Sequence, residues 1–349
     1  MQESMRGLAV AMLSACLAAS AMGAEGSGQE RAEAAGRGLV GAPAPRLKVH
    51  TIDGATIDLG SLYGKQAVYL KFWATWCVPC REQRPHFVHV YQTAGPDLAV
   101  IAVNAAFNDS VDEIRHYRKR LGITMPIVFD EDGQLAEAFN LRVTPQHIVI
   151  GRDGRIQYVG HLADAQLDAA LLAARTAMAT ATATGAAAPA GRAAASGGGR
   201  HLGKGDLLPD ARLDVIDGGP FMLREHAAAG PTVLVFLSPW CESYLATTRP
   251  AVSRNCRVAR EQVEQLKNEH HVRWLGVASG LWASPNDLRE YREKYKVTIP
   301  LTLDESGTLF REFRVTDTPT LVLVDSQGRF VRRIGGGASG ELGQALSEL

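Results

Sequence analysis

Apolar positions in the first half of the chain fall into two arrangements. AVYLKFW (67–73) and LAVIAVN (98–104) are nearly continuous apolar runs, short and bounded by polar or turn-forming residues, and they predict strands buried on both faces. The segment from Cys77 through Val90 and the stretch SVDEIRHYRKRL (110–121) instead carry helical spacing. Downstream, HIVIG and RIQYVG flank Arg152-Asp153-Gly154, a hairpin signal, and ADAQLDAALLAA (163–174) closes the unit as a helix. Strands alternating with helices and ending in a hairpin predict an α/β unit with a central mixed sheet, parallel at first and antiparallel at its end, flanked by helices.

The same pattern then recurs. Residues 101–160 align without gaps on residues 275–334 at a constant offset of 174, so that Tyr117 and Tyr291, Pro126 and Pro300, Asp130 and Asp304, Phe139 and Phe313, Thr144-Pro145 and Thr318-Pro319, and Gly154 and Gly328 coincide. Two copies of one domain are expected. Between them TAMATATATGAAAPAGRAAASGGGR lacks aromatic residues and is dominated by Ala, Thr and Gly, which predicts a flexible linker over 179–203. Residues 25–40 read as a second flexible segment, which leaves 41–178 and 204–349 as the two domains.

Composition changes this picture little. The 349 residues are 46% hydrophobic, enough for two cores, and 37 basic residues balance 37 acidic ones without a basic block. Nothing predicts a nucleic-acid partner. The N-terminus adds more: MQESMRGLAVAMLSACLAASAMGAEG has one Arg, an uncharged apolar run and then small residues, the layout of an export signal over 1–24 with cleavage near Ala24. An uncleaved anchor and a lipoprotein box at LSAC, with Cys16 as the modified residue, are the other readings. A periplasmic or secreted protein is expected. Once the signal is removed, Cys77, Cys80, Cys241 and Cys256 remain, an even number in a compartment where disulfides persist.

The chemistry gathers at KFWATWCVPCREQ (71–83). A cysteine at a strand-to-helix junction lies among unpaired backbone N–H groups at the positive end of the helix dipole, which favours its thiolate, so Cys77 is the expected attacking sulfur. Cys80, about one turn on and on the same face, is placed to close a disulfide or to resolve a mixed one. Pro79 is tolerated because N–H groups in a first turn have no intrahelical partner. Half of a zinc site, with His86 and His89 following, is the alternative; it leaves the strand and the Thr-Pro element unexplained, and no metal or other cofactor is expected. Lys71 either carries charge that lowers a cysteine pKa, or is neutral through burial, or reaches out to water.

Through FWATWCVPC, the preceding LYGKQAVYLKFW and the later VTPQHIVIGRDGRI, the sequence resembles the thioredoxin superfamily, particularly the extracytoplasmic TlpA/ResA-like thiol-disulfide oxidoreductases. The resemblance covers about 41–178 and, more loosely, 204–349. It implies two tandem thioredoxin-like domains, a cis Pro145 facing the cysteines, substrate binding by Trp76, Thr144 and Pro145, and redox tuning by Lys71 and Pro79. Pro319, with Thr318, is the second copy's equivalent. Relatives that reduce haem-attachment cysteines often carry an acidic residue near the first-copy proline, whereas Gln146 and His147 follow Pro145 here, which speaks against cytochrome c maturation.

The second copy departs at FLSPWCESYL (236–245). Val235 stands in place of Lys71, Leu237 in place of Trp73, and Tyr244 in place of Cys80, while Trp240 is kept. Cys241 is then a peroxidatic thiol, for which Ser238 fits and Leu234 does not, or a relic in a copy kept for packing or substrate binding, or one end of a displaced disulfide to Cys256, structural or redox-active. The last requires the chain to double back, since fifteen residues of straight helix span about 22 Å. Pro250 supplies a break, AVSRN (251–255) a polar connection, and a stretch ten residues longer than in the first copy the room.

Two function classes follow. One is an enzyme exchanging disulfides with exported proteins, expected from the family likeness to act as a reductant fed by a membrane electron donor. The other is a binding or scaffold module with static disulfides.

Overall fold

The computed structural model describes residues 27–177, 201–268, 271–336 and 341–347; the residues read above as an export signal, and most of those read as a linker, lie outside them. In the first half the order is α1 (Gly28–Gly36), β1 (Lys48–His50), β2 (Thr56–Asp58), α2 (Leu59–Leu62), β3 (Ala67–Trp73), α3 (Val78–Glu82) and α4 (Arg84–Thr93). It continues through β4 (Leu98–Asn104), α5 (Val111–Leu121), β5 (Ile127–Phe129), α6 (Gln134–Ala138), β6 (Gln146–Ile150), β7 (Ile156–Gly160) and α7 (Ala165–Thr176). The second half opens with β8 (Arg212–Asp214), β9 (Pro220–Met222), α8 (Leu223–Ala228), β10 (Thr232–Leu237), α9 (Cys241–Thr248) and α10 (Pro250–Leu266). Then come β11 (Arg273–Ser279), α11 (Pro285–Tyr295), β12 (Leu301–Asp304), α12 (Thr308–Glu312), β13 (Thr320–Val324), β14 (Phe330–Gly335) and α13 (Leu342–Leu346).

Each half is built on a five-stranded mixed sheet, in the orders β5-β4-β3-β6-β7 and β12-β11-β10-β13-β14. Strands β3, β4 and β5 run parallel, and β6 runs antiparallel to both β3 and β7. The second sheet repeats these relations. All seven residues of β3 are buried, as expected of a central strand with helices on both faces. Helix α5 shows how locally the ends are specified. Ser110 caps it, Asp112 and Glu113 occupy its first turn, Arg118 to Arg120 its last, and Gly122 ends it in the left-handed region at φ 62°.

Three expectations need correction. Residues 28–36 are not unstructured but form α1, whose Ser27 and Glu30 make a reciprocal capping box and whose Ala32, Ala35 and Gly36 are buried. Gly36 sits so close to Val159 of β7 that a Cβ would come within 2.9 Å of it. The 251–255 connection is helical: the break expected at Pro250 is present, at Arg249 between α9 and α10, but Pro250 opens the second helix and 251–255 lie inside it. The second domain starts its contacts before residue 204, since Leu202 is buried and its N–H donates to the carbonyl of Glu312. Among the described residues no helix is long and apolar enough to cross a membrane.

Candidate functional site

Strand β3 delivers Trp76 and Cys77 to the top of the first sheet, and α3 begins immediately after. Cys77 is the N-cap of α3, its Sγ accepts the N–H of Cys80 at 3.2 Å, and Pro79 lies in the first turn. The two sulfurs are bonded, with Cα atoms 5.3 Å apart. From the other side the Thr144–Pro145 loop faces the bridge, and the Thr144 carbonyl oxygen lies 3.3 Å from Cys77 Sγ. The Thr144–Pro145 and Thr318–Pro319 peptide bonds are both cis.

Beneath the bridge is a buried polar cluster in which the sequence reading gave a redox role only to Lys71. Lys71 is 2% exposed and so does not reach water; its Nζ donates to the carbonyl of Gln83 at 3.3 Å and lines the same small cavity as Cys80. Burial, reinforced by the charge of Arg84, lowers its pKa to about 7. His147 Nε2 lies 2.9 Å from Gln83 Oε1 and its Nδ1 lies 2.7 Å from the Tyr69 hydroxyl, a pairing in which neutral imidazole donates at Nε2 and accepts at Nδ1. Burial first, then Lys71, holds His147 well below the ordinary histidine range. His161 Nδ1 donates to the Pro145 carbonyl at 2.7 Å, which fixes the back of the proline loop.

The second half covers this site. Cys77 is 0% exposed and Cys80 5%. Trp240 packs against Trp76 with ring centres 5.1 Å apart, and the Tyr244 hydroxyl accepts the Val78 N–H at 3.0 Å. Across the same boundary the Trp282 N–H donates to the Arg142 carbonyl at 2.9 Å, and the Trp282 indole donates to Thr144 Oγ1 at 3.1 Å. The arrangement is reciprocal. Asn108, which matches Trp282 in the repeat, donates its backbone N–H to the Thr316 carbonyl at 2.8 Å, and its side chain both donates to Thr318 Oγ1 and accepts the Thr318 N–H. Within each half the matching tryptophan is held alike, Trp76 donating to the Phe107 carbonyl and Trp240 to that of Leu281. Arg249 fastens the boundary: it bonds Asp109 Oδ1 and Thr75 Oγ1 at 2.6 Å each and also pairs with Glu113. Asp109, fully buried, further accepts from Thr75 N and Asn104 Nδ2 at 2.8 Å.

Asn108, Asp109, Arg249 and Trp282 were missed by sequence reasoning. One signal was available, since Asn108 and Trp282 share a repeat position; both adopt left-handed backbone, with φ of 51° and 57°. Cys241 and Cys256 are brought together, Cα to Cα 6.3 Å, as the displaced bridge. Trp76, Lys71, Cys77, Pro79, Cys80, Thr144 and Pro145 gather at one place, and Pro319 lies by the second bridge. His86 pairs with Asp168 at 2.8 Å, and among the described residues no cluster of three or more His, Cys, Asp or Glu suits a metal ion.

A cysteine pair at the junction of a central strand and a helix, facing a Thr-Pro loop at the start of an antiparallel hairpin, defines a thioredoxin-like redox domain. The model of the AhpC/TSA family matches residues 40–159, within the first half. The thioredoxin-like protein YneN of Bacillus subtilis is 31% identical over 134 residues, 38% of this chain and 78% of that protein. The thiol-disulfide oxidoreductase ResA of the same organism is 30% identical over 117 residues, 33% of this chain; the chain spans 64% of that relative's length. A solved thioredoxin-family thiol:disulfide interchange protein of Chlorobium tepidum is 29% identical, with 38% of this chain and 96% of that one covered and a TM-score of 0.35. The chain belongs to the thioredoxin-like family, and several of its relatives are named thiol-disulfide oxidoreductases.

Lysine in an unfolded chain titrates near 10.4, above the value of about 7 that burial gives Lys71. Between these limits the unfolded chain binds the extra proton, so this residue makes stability rise with pH. Denaturant midpoints of wild type and Lys71→Met, compared from pH 7 to pH 10, are expected to diverge in favour of wild type by at most about 4 kcal/mol. Parallel curves would exclude a buried amine of lowered pKa.

Arg249→Ala leaves the buried Asp109 carboxylate without its cation, a loss that typically costs about 3 kcal/mol or more. The expected result is an increase of at least about tenfold in the rate at which a small thiol reduces Cys77–Cys80, read by quenching and alkylation. An unchanged rate would mean that the cover does not limit access.

Proposed function

We propose that this protein is an exported thiol-disulfide oxidoreductase that reduces disulfides of other exported proteins through Cys77 and Cys80, with its second half serving as a built-in cover for the reactive pair. The observation that carries the reading is the placement of Cys77, at the N-terminus of α3 and 3.3 Å from the Thr144 carbonyl. In the reductive direction the Cys77 thiolate attacks one sulfur of a substrate disulfide and the other substrate sulfur leaves as thiolate. Cys80 loses its proton and attacks Cys77 Sγ, the mixed disulfide breaks, and the second substrate sulfur is released. The substrate gains two electrons and the pair becomes a disulfide. Lys71, an amine of pKa about 7 lining the cavity that Cys80 lines, is the group suited to accept the Cys80 proton.

The cover sets the condition for reaction. Trp282 bonds the Thr144 hydroxyl and the Arg142 carbonyl, beside the Thr144 backbone that the family likeness assigns to substrate, and Tyr244 takes the Val78 N–H. The halves must part before a substrate pairs with the loop. Export is supported by the signal-like N-terminus and by the pairing of all four cysteines outside it, and a membrane dithiol donor is the proposed source of electrons. The alternative, a scaffold with static bridges, is favoured by the burial of Cys77 alone.

Reduction of a disulfide-bonded protein such as insulin by the pre-reduced full chain tests the assignment. Activity is expected to fall by at least about a hundredfold in Cys77→Ser, since the attacking sulfur is gone. Cys80→Ser should instead accumulate mixed disulfides through Cys77, because the resolving thiol is missing. Equal activity in Cys77→Ser would discard the enzyme reading.

A further inference from the structure

We infer that Cys241–Cys256 is a second redox centre that accepts electrons from a CxxC-type dithiol, not a static staple. This goes beyond the activity assigned to Cys77 and Cys80 and does not require it.

The argument rests on where the bridge lies. In the first half the sulfur beside the Thr-Pro loop is Cys77 Sγ, 3.3 Å from the Thr144 carbonyl. In the second half Cys256 Sγ holds the corresponding place, 3.6 Å from the Thr318 carbonyl, although Cys256 comes from the middle of α10 and not from the strand-to-helix turn. Cys241, on that turn, is the first residue of α9, and its Sγ lies 3.9 Å from the Val252 carbonyl of α10. The second centre thus presents a bridge to its proline loop as the first does, with one sulfur supplied from elsewhere. A staple between α9 and α10 would serve as well at any other point along their contact, and a loop of this length stabilises by about 3 kcal/mol wherever it is closed. Burial does not separate the two bridges: Cys241 and Cys256 are 0% and 8% exposed, Cys77 and Cys80 0% and 5%.

The roles of the sulfurs follow from their surroundings. Cys256 is the more exposed and touches the proline loop, so it is the sulfur an incoming thiolate reaches. Cys241 begins an eight-residue helix, where a thiolate is stabilised, which makes it the better leaving group. Arg260, one turn beyond Cys256 on the same helix, lines the same small cavity and is held in place by Glu242 at 2.7 Å. In the exchange a donor thiolate attacks Cys256 Sγ, the Cys241–Cys256 bond breaks, and Cys241 leaves as thiolate. The donor's second thiol then loses its proton and attacks its own bridged sulfur, releasing Cys256. The donor dithiol becomes a disulfide, and Cys241 and Cys256 become two thiols after taking up two protons. The donor is either Cys77/Cys80 of the same chain or the CxxC of a separate thioredoxin-type protein.

The oxidised full chain is incubated, without denaturant, with graded dithiothreitol, and in parallel with a reduced thioredoxin kept so by its reductase, then quenched with acid, alkylated and mapped, while near-ultraviolet circular dichroism monitors folding. Wild type, Cys77→Ser/Cys80→Ser and Arg249→Ala are compared, the last so that access to both centres is measured with the cover loosened. Cys241 and Cys256 are expected to become alkylatable in folded protein, with an equilibrium constant for reduction within about a hundredfold of that of Cys77–Cys80, which is about 60 mV for a two-electron couple. Reduction by thioredoxin in the double variant points to an external donor, and loss of that reduction in the double variant alone points to Cys77/Cys80; both support the inference. In Cys241→Ser the remaining Cys256, the more accessible sulfur, should attack the disulfide reagent 5,5′-dithiobis(2-nitrobenzoate), releasing 5-thio-2-nitrobenzoate, at least about tenfold faster than Cys241 does in Cys256→Ser. A bridge that survives in Arg249→Ala at dithiothreitol concentrations that open Cys77–Cys80, and yields only when the dichroism is lost, overturns the second centre. It leaves the assignment of Cys77 and Cys80 untouched.

Discussion

The two Thr-Pro loops present backbone groups at the ends of their sheets, and buried backbone groups require partners. Here each half supplies them to the other. Trp282 serves the loop of Thr144, and Asn108 serves that of Thr318. The match is not equal. Asn108 both donates and accepts, so the Thr318 N–H is bonded, whereas an indole only donates and offers nothing to the Thr144 N–H. Of the two cross-boundary partners, Trp282 therefore holds its Thr-Pro loop less completely than Asn108 does, and it is the loop beside Cys77 that an incoming peptide has more to gain from.

Charge reinforces this exchange of partners. Asp109 is buried among Thr75, Asn104 and Arg249, and only Arg249 comes from the other half. Burial raises the pKa of Asp109 while these donors lower it, with burial the largest influence. Such a carboxylate is tolerated because its hydrogen bonds are complete, and separating the halves removes one of them. Arg31 of α1 adds a bond to Asp287 of α11 at 2.9 Å, so the N-terminal helix also ties the halves together.

What was legible in the sequence was what depends on neighbours along the chain. Strands β3 and β4, helix α5, the β6–β7 hairpin with its Gly154, and the Cys77–Cys80 pair each follow from a few adjacent residues, and the repeat carried the same reading to the second half. Helix α1 was hidden because GQERAEAAG has a polar composition and buries only small residues against β7, a partner far away in sequence. Its capping signature, Ser27 followed three residues later by Glu30, was present and outweighed by composition. Arg249 and Asp109 offered no such signal. An arginine before a proline and an aspartate before a helix are ordinary surface residues until the halves are put together.

The loss of the second cysteine at Tyr244 now has a physical account. In the first half the residue at this position, Cys80, turns inward to its partner sulfur; in the second, Tyr244 turns across the boundary, where its hydroxyl accepts the Val78 N–H and its ring lies edge-on to Trp76 at 6.1 Å. One side chain cannot do both. Once position 244 is committed to covering the other half, a partner for Cys241 must come from a different element. Helix α10, 17 residues long against ten for α4, carries Cys256 to the site, and the ten additional residues between Cys241 and the next strand accompany it. The substitution and the insertion are thus two parts of one change, which keeps a bridge at each proline loop while freeing one motif to cover the other.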